Sequence, residues 1–309
     1  MSEIKSLILV NIIEKEFYMK TKDFILGVFV TFIWGINFSI IKIGLNSLDP
    51  FILSALRFLL CAIPLIFFIK RPNVPISYLA YYGLTFGVGL WGITYLAIYF
   101  GISAGISSLI LQMGVFFTII LAYVYFDEEI TFHKKLGFAF ALFGLLLILN
   151  VTDGSVTLIG LFLVLISSLF MAISNIIVKK SKTKEVLSFI IWSSLFAPIP
   201  LFILAFITQG DHVFIHFFEN LDNKAIFSIL FQVYPTTLFG YWVWNSLINK
   251  YPVSSVAPLG LLVPIFGLLG SFVIFDENLG FIKLIACFLI ILGLSINTFG
   301  NKLKSIKTK

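Results

Sequence analysis

Two stretches of this chain place carboxylates where chemistry could occur. FDEE at 126–129 closes the apolar run ILQMGVFFTIILAYVYFDEEIT, and FDEN at 275–278 closes LGLLVPIFGLLGSFVIFDENLG. Paired carboxylates suit acid–base catalysis, a metal site or proton transfer. They also suit a boundary where apolar segments meet water. The remaining ionisable groups favour the boundary. All 15 acidic residues fall in loops, tails or helix mouths, and His133, His212 and His216 lie outside the apolar runs. Cys61 and Cys287 sit far apart inside apolar runs and read as buried thiols. No metal set, cofactor motif or catalytic constellation emerges, so the chain is expected to be no enzyme. The alternative of a different class is a membrane-embedded enzyme acting on lipid-linked substrates. It would need acidic metal ligands on one face, and only DEE at 127–129 offers any.

Arg57 is the charge at depth, about two turns into FILSALRFLLC. Its planar fork keeps its charge when desolvated and fits a carboxylate. It reads either as an anchor for a substrate carboxylate or as a structural group reaching backbone carbonyls or Asp49. The better site candidates are uncharged: Asn37, Gln112, Asn175 and Asn245 each need a partner in lipid and so face protein or a cavity. Trp91, Tyr95 and Tyr99 recur every fourth residue, and Tyr241 and Trp244 share a face with Asn245; these rings could wall a path for a small amphipathic solute. Pro258 and Pro264 interrupt a glycine-rich helix and are expected to gate it. Lys42 is expected to snorkel to the interface.

Elements that position such groups are legible from hydropathy. The 309 residues are 60% hydrophobic and 12% charged, with a mean hydropathy of +1.07. That composition belongs to a chain whose solvent is lipid, despite a net charge of +6. A nucleic-acid partner is not expected; the partners are the bilayer and a small-molecule substrate, with a homodimer left open. Apolar runs predict ten spans near 24–44, 51–69, 77–99, 103–126, 136–152, 156–178, 187–208, 225–248, 253–275 and 284–300. With the N-terminus inside, Lys224 and Lys283 fall outside, Lys42 and Arg57 fall within helices, and the other 17 of 21 basic residues fall inside. This asymmetry predicts cytoplasmic N- and C-termini. Residues 1–18 read as an extension, with Met19 as a natural start.

The chain also repeats itself. ISSLILQ at 106–112 aligns with VSSVAPL at 253–259, and YFDEEIT at 125–131 aligns with IFDENLG at 274–280. Asn37 and Lys42 match Asn175 and Lys180 more weakly. Five helices written twice must enter the membrane from opposite sides, because five is odd. The expected fold is therefore all-α and integral to the membrane, with ten transmembrane helices as two inverted five-helix repeats. Its parts are 1–21 (extension), 22–152 (first repeat), 153–301 (second repeat) and 302–309 (basic tail). Inverted repeats are an architecture of secondary transporters, whose substrate site lies near the midplane.

WGINFSIIKIG at 34–44, LRF at 56–58, the repeated Ser-Ser helices ending in FDE, and the stretch from Gly240 to Leu284 resemble the EamA family of the drug/metabolite transporter superfamily. The likeness covers about residues 22–301. It departs at Asp127-Glu128 and Asp276-Glu277, where the family pattern usually has Gly-Glu. The resemblance implies a bacterial inner-membrane exporter of small amino-acid-like metabolites, O-acetylserine and cysteine being the specific expectation. Other amino acids, nucleosides or drugs are the alternative solutes the same fold admits.

Overall fold

The computed structural model describes residues 19–307; the expected extension at 1–18 lies outside them. The described chain is helical, with α1 at Thr21–Leu45 and α2 at Pro50–Ala62. Helix α3 runs from Ile76–Tyr82 through a π-helical segment, Gly83–Gly92, into Ile93–Tyr99. Helix α4 joins Ala104–Ile110 to Met113–Phe126, α5 is Phe132–Ile148 and α6 is Leu158–Ser181. Helix α7 joins Val186–Ser193 to Pro198–Gln209 through a 3-10 turn. Helix α8 runs from Asn223–Phe231 through a second π segment, Gln232–Phe239, into Gly240–Lys250. Helix α9 passes from Val253–Val256 through a 3-10 turn, Ala257–Leu261, into Leu262–Phe275, and α10 is Phe281–Lys307.

Eight of these rods are long and apolar enough to cross a membrane. The chain is thus a multi-pass helical membrane protein; α3 and α5 lie between the eight. The eight correspond to eight of the expected spans, with local differences. Pro64 cannot donate to a helix, so the run expected at 51–69 stops as α-helix at Ala62 and finishes in a 3-10 turn, Leu65–Phe67. The run expected at 136–152 begins earlier, at Phe132, and α10 continues through the expected tail to Lys307.

The helix ends explain the repeated acidic signal. Asp127 and Asp276 have φ of 53° and 50°, in the left-handed region, and end α4 and α9. A left-handed C-cap favours glycine, and a short polar side chain such as aspartate tolerates it. Starts are capped too. Asp49 accepts from the amides of Phe51 and Ile52 at 2.8 and 3.1 Å, and Ser103, Thr157 and Asp222 cap α4, α6 and α8.

The packing is inside-out relative to a water-soluble domain. Phe67, Phe68, Leu158, Val273 and Phe281 are each more than 70% exposed, whereas Thr94, Ser107 and Ser167 are fully buried. Those buried hydroxyls donate to carbonyls one turn back, at 2.7, 2.8 and 3.0 Å, so none is stranded. Small residues bring rods together. A Cβ on Gly137 would lie 2.5 Å from the carbonyl oxygen of Gly293, and one on Gly144 would lie 2.8 Å from that of Ala286. Helices α5 and α10 therefore cross antiparallel, with Gly137 against Gly293 and Gly144 against Ala286.

Contacts between helix ends define two faces of the molecule. At one, Lys250 pairs with Asp23 at 2.6 Å, Glu128 with Lys179, and Ser188 donates to the Lys70 carbonyl at 2.5 Å. At the other, Ser47 donates to Asp222 at 2.9 Å, Thr157 to the Phe100 carbonyl at 2.9 Å, and Lys283 pairs with Asp153 at 2.8 Å. The first face gathers the lysines that end α2, α6 and α8 and begin α1 and α5, so it is the lysine-rich face.

Candidate functional site

A cavity of about 550 Å³ lies among the rods, within the range of small-molecule sites. It occupies the half of the molecule nearer the lysine-rich face. Along α3 it is lined from Tyr82 to Trp91, but not by Tyr95; along α9 it is lined from Ala257 to Val263, but not beyond. On α10 it touches Leu294, Asn297 and Thr298, far from the Lys283 end.

Arg57 sits at its inner limit, fully buried. Its Nη1 donates to the Tyr95 hydroxyl at 3.0 Å, while Nε and Nη2 donate to Thr237 Oγ1 at 3.3 and 3.1 Å. The Tyr95 hydroxyl in turn donates to Gln232 Oε1, Gln232 Nε2 donates to Ser228 at 2.8 Å, and Thr237 donates to the Gln232 carbonyl at 2.8 Å. The guanidinium carbon stands 4.3 Å from the centre of the Trp91 ring. Three of the five N–H groups are thus used. Asp49 is occupied by the α2 cap, and no carboxylate pairs with Arg57 among the described residues. The structural reading in which Arg57 reaches Asp49 is corrected accordingly.

Further unused donors face the same space. Asn37 accepts from Thr236 Oγ1 at 3.0 Å, yet its buried Nδ2 finds no partner among the described residues, and neither does Trp91 Nε1. Thr236 and Thr237 are consecutive, which sets Asn37 beside Arg57. Among the described residues the cavity lining therefore holds one permanent cation and several orphaned donors, and no Asp, Glu or His. That array suits an anionic, acceptor-rich group such as a carboxylate.

Irregular helices build this wall. The π segment of α8 contains Pro235, and it presents the Thr236 carbonyl to the Trp34 indole N–H at 2.9 Å. Pro264 lacks the N–H that would bond the Gly260 carbonyl one turn back; Gln112 Nε2 donates to that carbonyl at 3.4 Å. Aromatic rings extend this wall: Trp34 lies 5.3 and 5.1 Å from Tyr241 and Trp244, and Phe86 lies 6.2 Å from Tyr241.

Of the residues singled out from sequence, Asn37, Arg57, Trp91, Gln112, Asn175, Tyr241 and Trp244 meet at the cavity. Tyr95 stands behind Arg57 and positions it. Tyr99 is 50% exposed beyond the cavity, because the i+8 residue has passed its closed end. Asn245 is off the cavity on α8, with its Nδ2 unpartnered among the described residues. Pro258 and Pro264 do not line the cavity either; they shape the α9 backbone beside Gly260. Sequence reasoning passed over Trp34, Thr236, Asn297 and Thr298. Trp34 lies one turn before Asn37 on the same face, and Asn297-Thr298 is a polar pair in an apolar helix, so a signal existed for both.

Among the described residues no group of three His, Cys, Asp or Glu could hold a metal ion. A helical membrane body enclosing a polar-and-aromatic cavity is an architecture that membrane transporters use. The EamA-like transporter family matches twice, over residues 22–150 and 158–299, and the chain belongs to it. It is a transporter and not an enzyme. It is 38% identical over 288 residues to the "Probable amino-acid metabolite efflux pump" of Escherichia coli (strain K12), covering 91% of this chain and 96% of that one. The Salmonella typhimurium protein of the same description is 36% identical, covering 93% and 98%. The "Uncharacterized transporter YoaV" of Bacillus subtilis (strain 168) is 28% identical over 87% of this chain and 94% of its own. A solved protein structure superposes with a TM-score of 0.57 at 14% identity, covering 91% of this chain and 98% of its own, a likeness of fold alone.

Proposed function

We propose that the protein exports small amino-acid-like metabolites, specifically O-acetylserine and cysteine, across a bacterial inner membrane by alternating access. The solute carboxylate docks on Arg57, Asn37 and Trp91, and Tyr95 and Thr237 hold the guanidinium in place. The ammonium rests against the rings of Trp34, Tyr241 and Trp244 and the side-chain carbonyls of Gln112 and Asn175. The observation that carries this reading is the buried Arg57, which borders the cavity with no carboxylate partner among the described residues. A desolvated cation is costly unless something pairs with it, and the solute is that partner. The two relatives described as efflux pumps support the direction and solute class.

The topology we infer has ten spans, with α3 and α5 added to the eight, both termini cytoplasmic, and the lysine-rich face inside. Repeats at 22–152 and 153–301 are inverted, and 302–309 is a basic tail. Support comes from equivalences 149 positions apart: the capping Asp127 and Asp276, the π segments beginning at Gly83 and Gln232, and α5 and α10 beginning at Phe132 and Phe281. The same offset maps Gly137 onto Ala286 and Gly144 onto Gly293, so the two α5–α10 contacts exchange under a two-fold operation. Pro258 and Pro264 give α9 the bend that gating uses.

The test is export from whole cells expressing the protein, with extracellular O-acetylserine and cysteine measured against an Asn37→Ala control. Excess of both over the control is expected. No excess at confirmed expression sinks the proposed solutes.

A further inference from the structure

Lys283 falls on the outer side in the charge count, and its side chain is 1% exposed. It lies at the face opposite the lysines and joins two carboxylates, Glu277 at 2.9 Å and Asp153 at 2.8 Å, and donates to the Asn278 carbonyl at 2.7 Å. Glu277, 8% exposed, also accepts from Ser103 at 2.8 Å and from Ser271. One network, buried at Lys283 and Glu277 and reaching the surface at Asp153, which is 31% exposed, thus ties the start of α4, the α5–α6 connection, the end of α9 and the start of α10. Those elements come from both halves of the chain, and they close the end of the molecule that the cavity does not reach.

Glu277, Asn278 and Lys283 recur 149 residues earlier as Glu128, Glu129 and Lys134. Half of the arrangement is present there: Lys134 Nζ donates to the Glu129 carbonyl at 3.1 Å, as Lys283 does to Asn278. The other half is not. Glu128 instead pairs with Lys179, and those side chains are 42% and 49% exposed. One copy is closed and buried, and the other is open beside the cavity's end of the molecule.

We propose that these are paired latches of the transport cycle, an inference that rests on the alternating-access reading. The Glu277–Lys283–Asp153 latch holds the outer gate shut in the conformation described here. When the halves exchange conformations, Glu128 leaves Lys179 for Lys134 and shuts the inner gate, while the outer latch opens. Each latch is a set of positioning residues; none touches the solute.

The experiment reads accessibility without any substrate, so it stands apart from the choice of solute. The full chain, with Cys61→Ala and Cys287→Ala, carries one probe cysteine at the cavity residue Ser108. Labelling by a membrane-impermeant maleimide is followed from the inside and the outside of oriented membrane vesicles. E277Q weakens only the closed latch, and outside labelling is expected to rise about ten-fold or more, the size of losing one charge-assisted hydrogen bond. D153N leaves Lys283 paired with Glu277 and is expected to shift labelling the same way by less, which also serves if E277Q folds poorly. K134Q removes the partner that Glu128 takes up only in the other state, leaves the Glu128–Lys179 pair of this state in place, and is expected to lower outside labelling. If E277Q and D153N leave labelling unchanged, or if K134Q shifts it in their direction, the paired-latch proposal is overturned. Failure of solute export with the labelling pattern intact would instead count against the proposed solutes.

Discussion

Replacing Arg57 by methionine separates a functional arginine from a structural one. Two N–H groups of the guanidinium are left for a solute carboxylate, and charge-assisted bonds of this kind are worth ~1.5–3 kcal/mol each. Breaking one side of a buried pair costs about 3–5 kcal/mol. At about 1.4 kcal/mol per tenfold, kcat/KM for O-acetylserine export should fall by roughly two to three orders of magnitude. Stability should move little. Tyr95 still donates to Gln232 and Thr237 still donates to the Gln232 carbonyl, so no buried donor is orphaned. Three bonds to the guanidinium are lost, and the desolvation cost of an unpaired cation, several kcal/mol, is lost with them. The unliganded R57M protein should therefore melt in detergent within about 1 kcal/mol of the parent. The assay is initial efflux from proteoliposomes beside thermal unfolding of the same preparation. Wild-type export by R57M would refute the reasoning, as would a large loss of stability with export reduced only in proportion to folded protein.

Tyr99→Ala lies outside the cavity and should change export by about twofold or less, within the usual effect of an exposed substitution; a loss beyond tenfold in the efflux assay would return Tyr99 to the site. Gly293→Ala places a methyl group against the carbonyl oxygen of Gly137, on backbone that cannot give way; a destabilisation of about 1–3 kcal/mol is expected, read as a lowered melting point. Asp276→Gly relieves a left-handed aspartate and should raise stability by up to ~1 kcal/mol, with export unchanged.

Most of the architecture was legible because lipid imposes simple rules. Apolar length marked the rods, and lysine placement marked the ends. The repeat of FDE marked the equivalence of α4 and α9. What the acidic signal meant was half legible. Reading it as a boundary was right for the aspartates, which cap helices in a left-handed turn. It missed Glu277, because its burial depends on Ser103, 174 positions away, as well as on the nearby Ser271 and Lys283. The site shows the same division. Asn37, Gln112 and Asn175 stood out as polar groups in apolar runs, and the cavity gathers them. Tyr99 failed because i, i+4, i+8 spacing gives a face and not a depth. The π segments at Gly83–Gly92 and Gln232–Phe239 shift the register of α3 and α8, and no periodicity in the apolar pattern announces them.

The central claim is that the cavity takes its solute by a free carboxylate. Purified protein in liposomes loaded with labelled O-acetylserine tests it through competition. Cysteine, which keeps both the ammonium and the carboxylate, should suppress efflux of the label. Cysteamine, the same molecule without its carboxylate, should leave efflux unchanged at equal concentration. Equal suppression by the two would contradict the account, because Arg57 would then have no part in selecting what is carried.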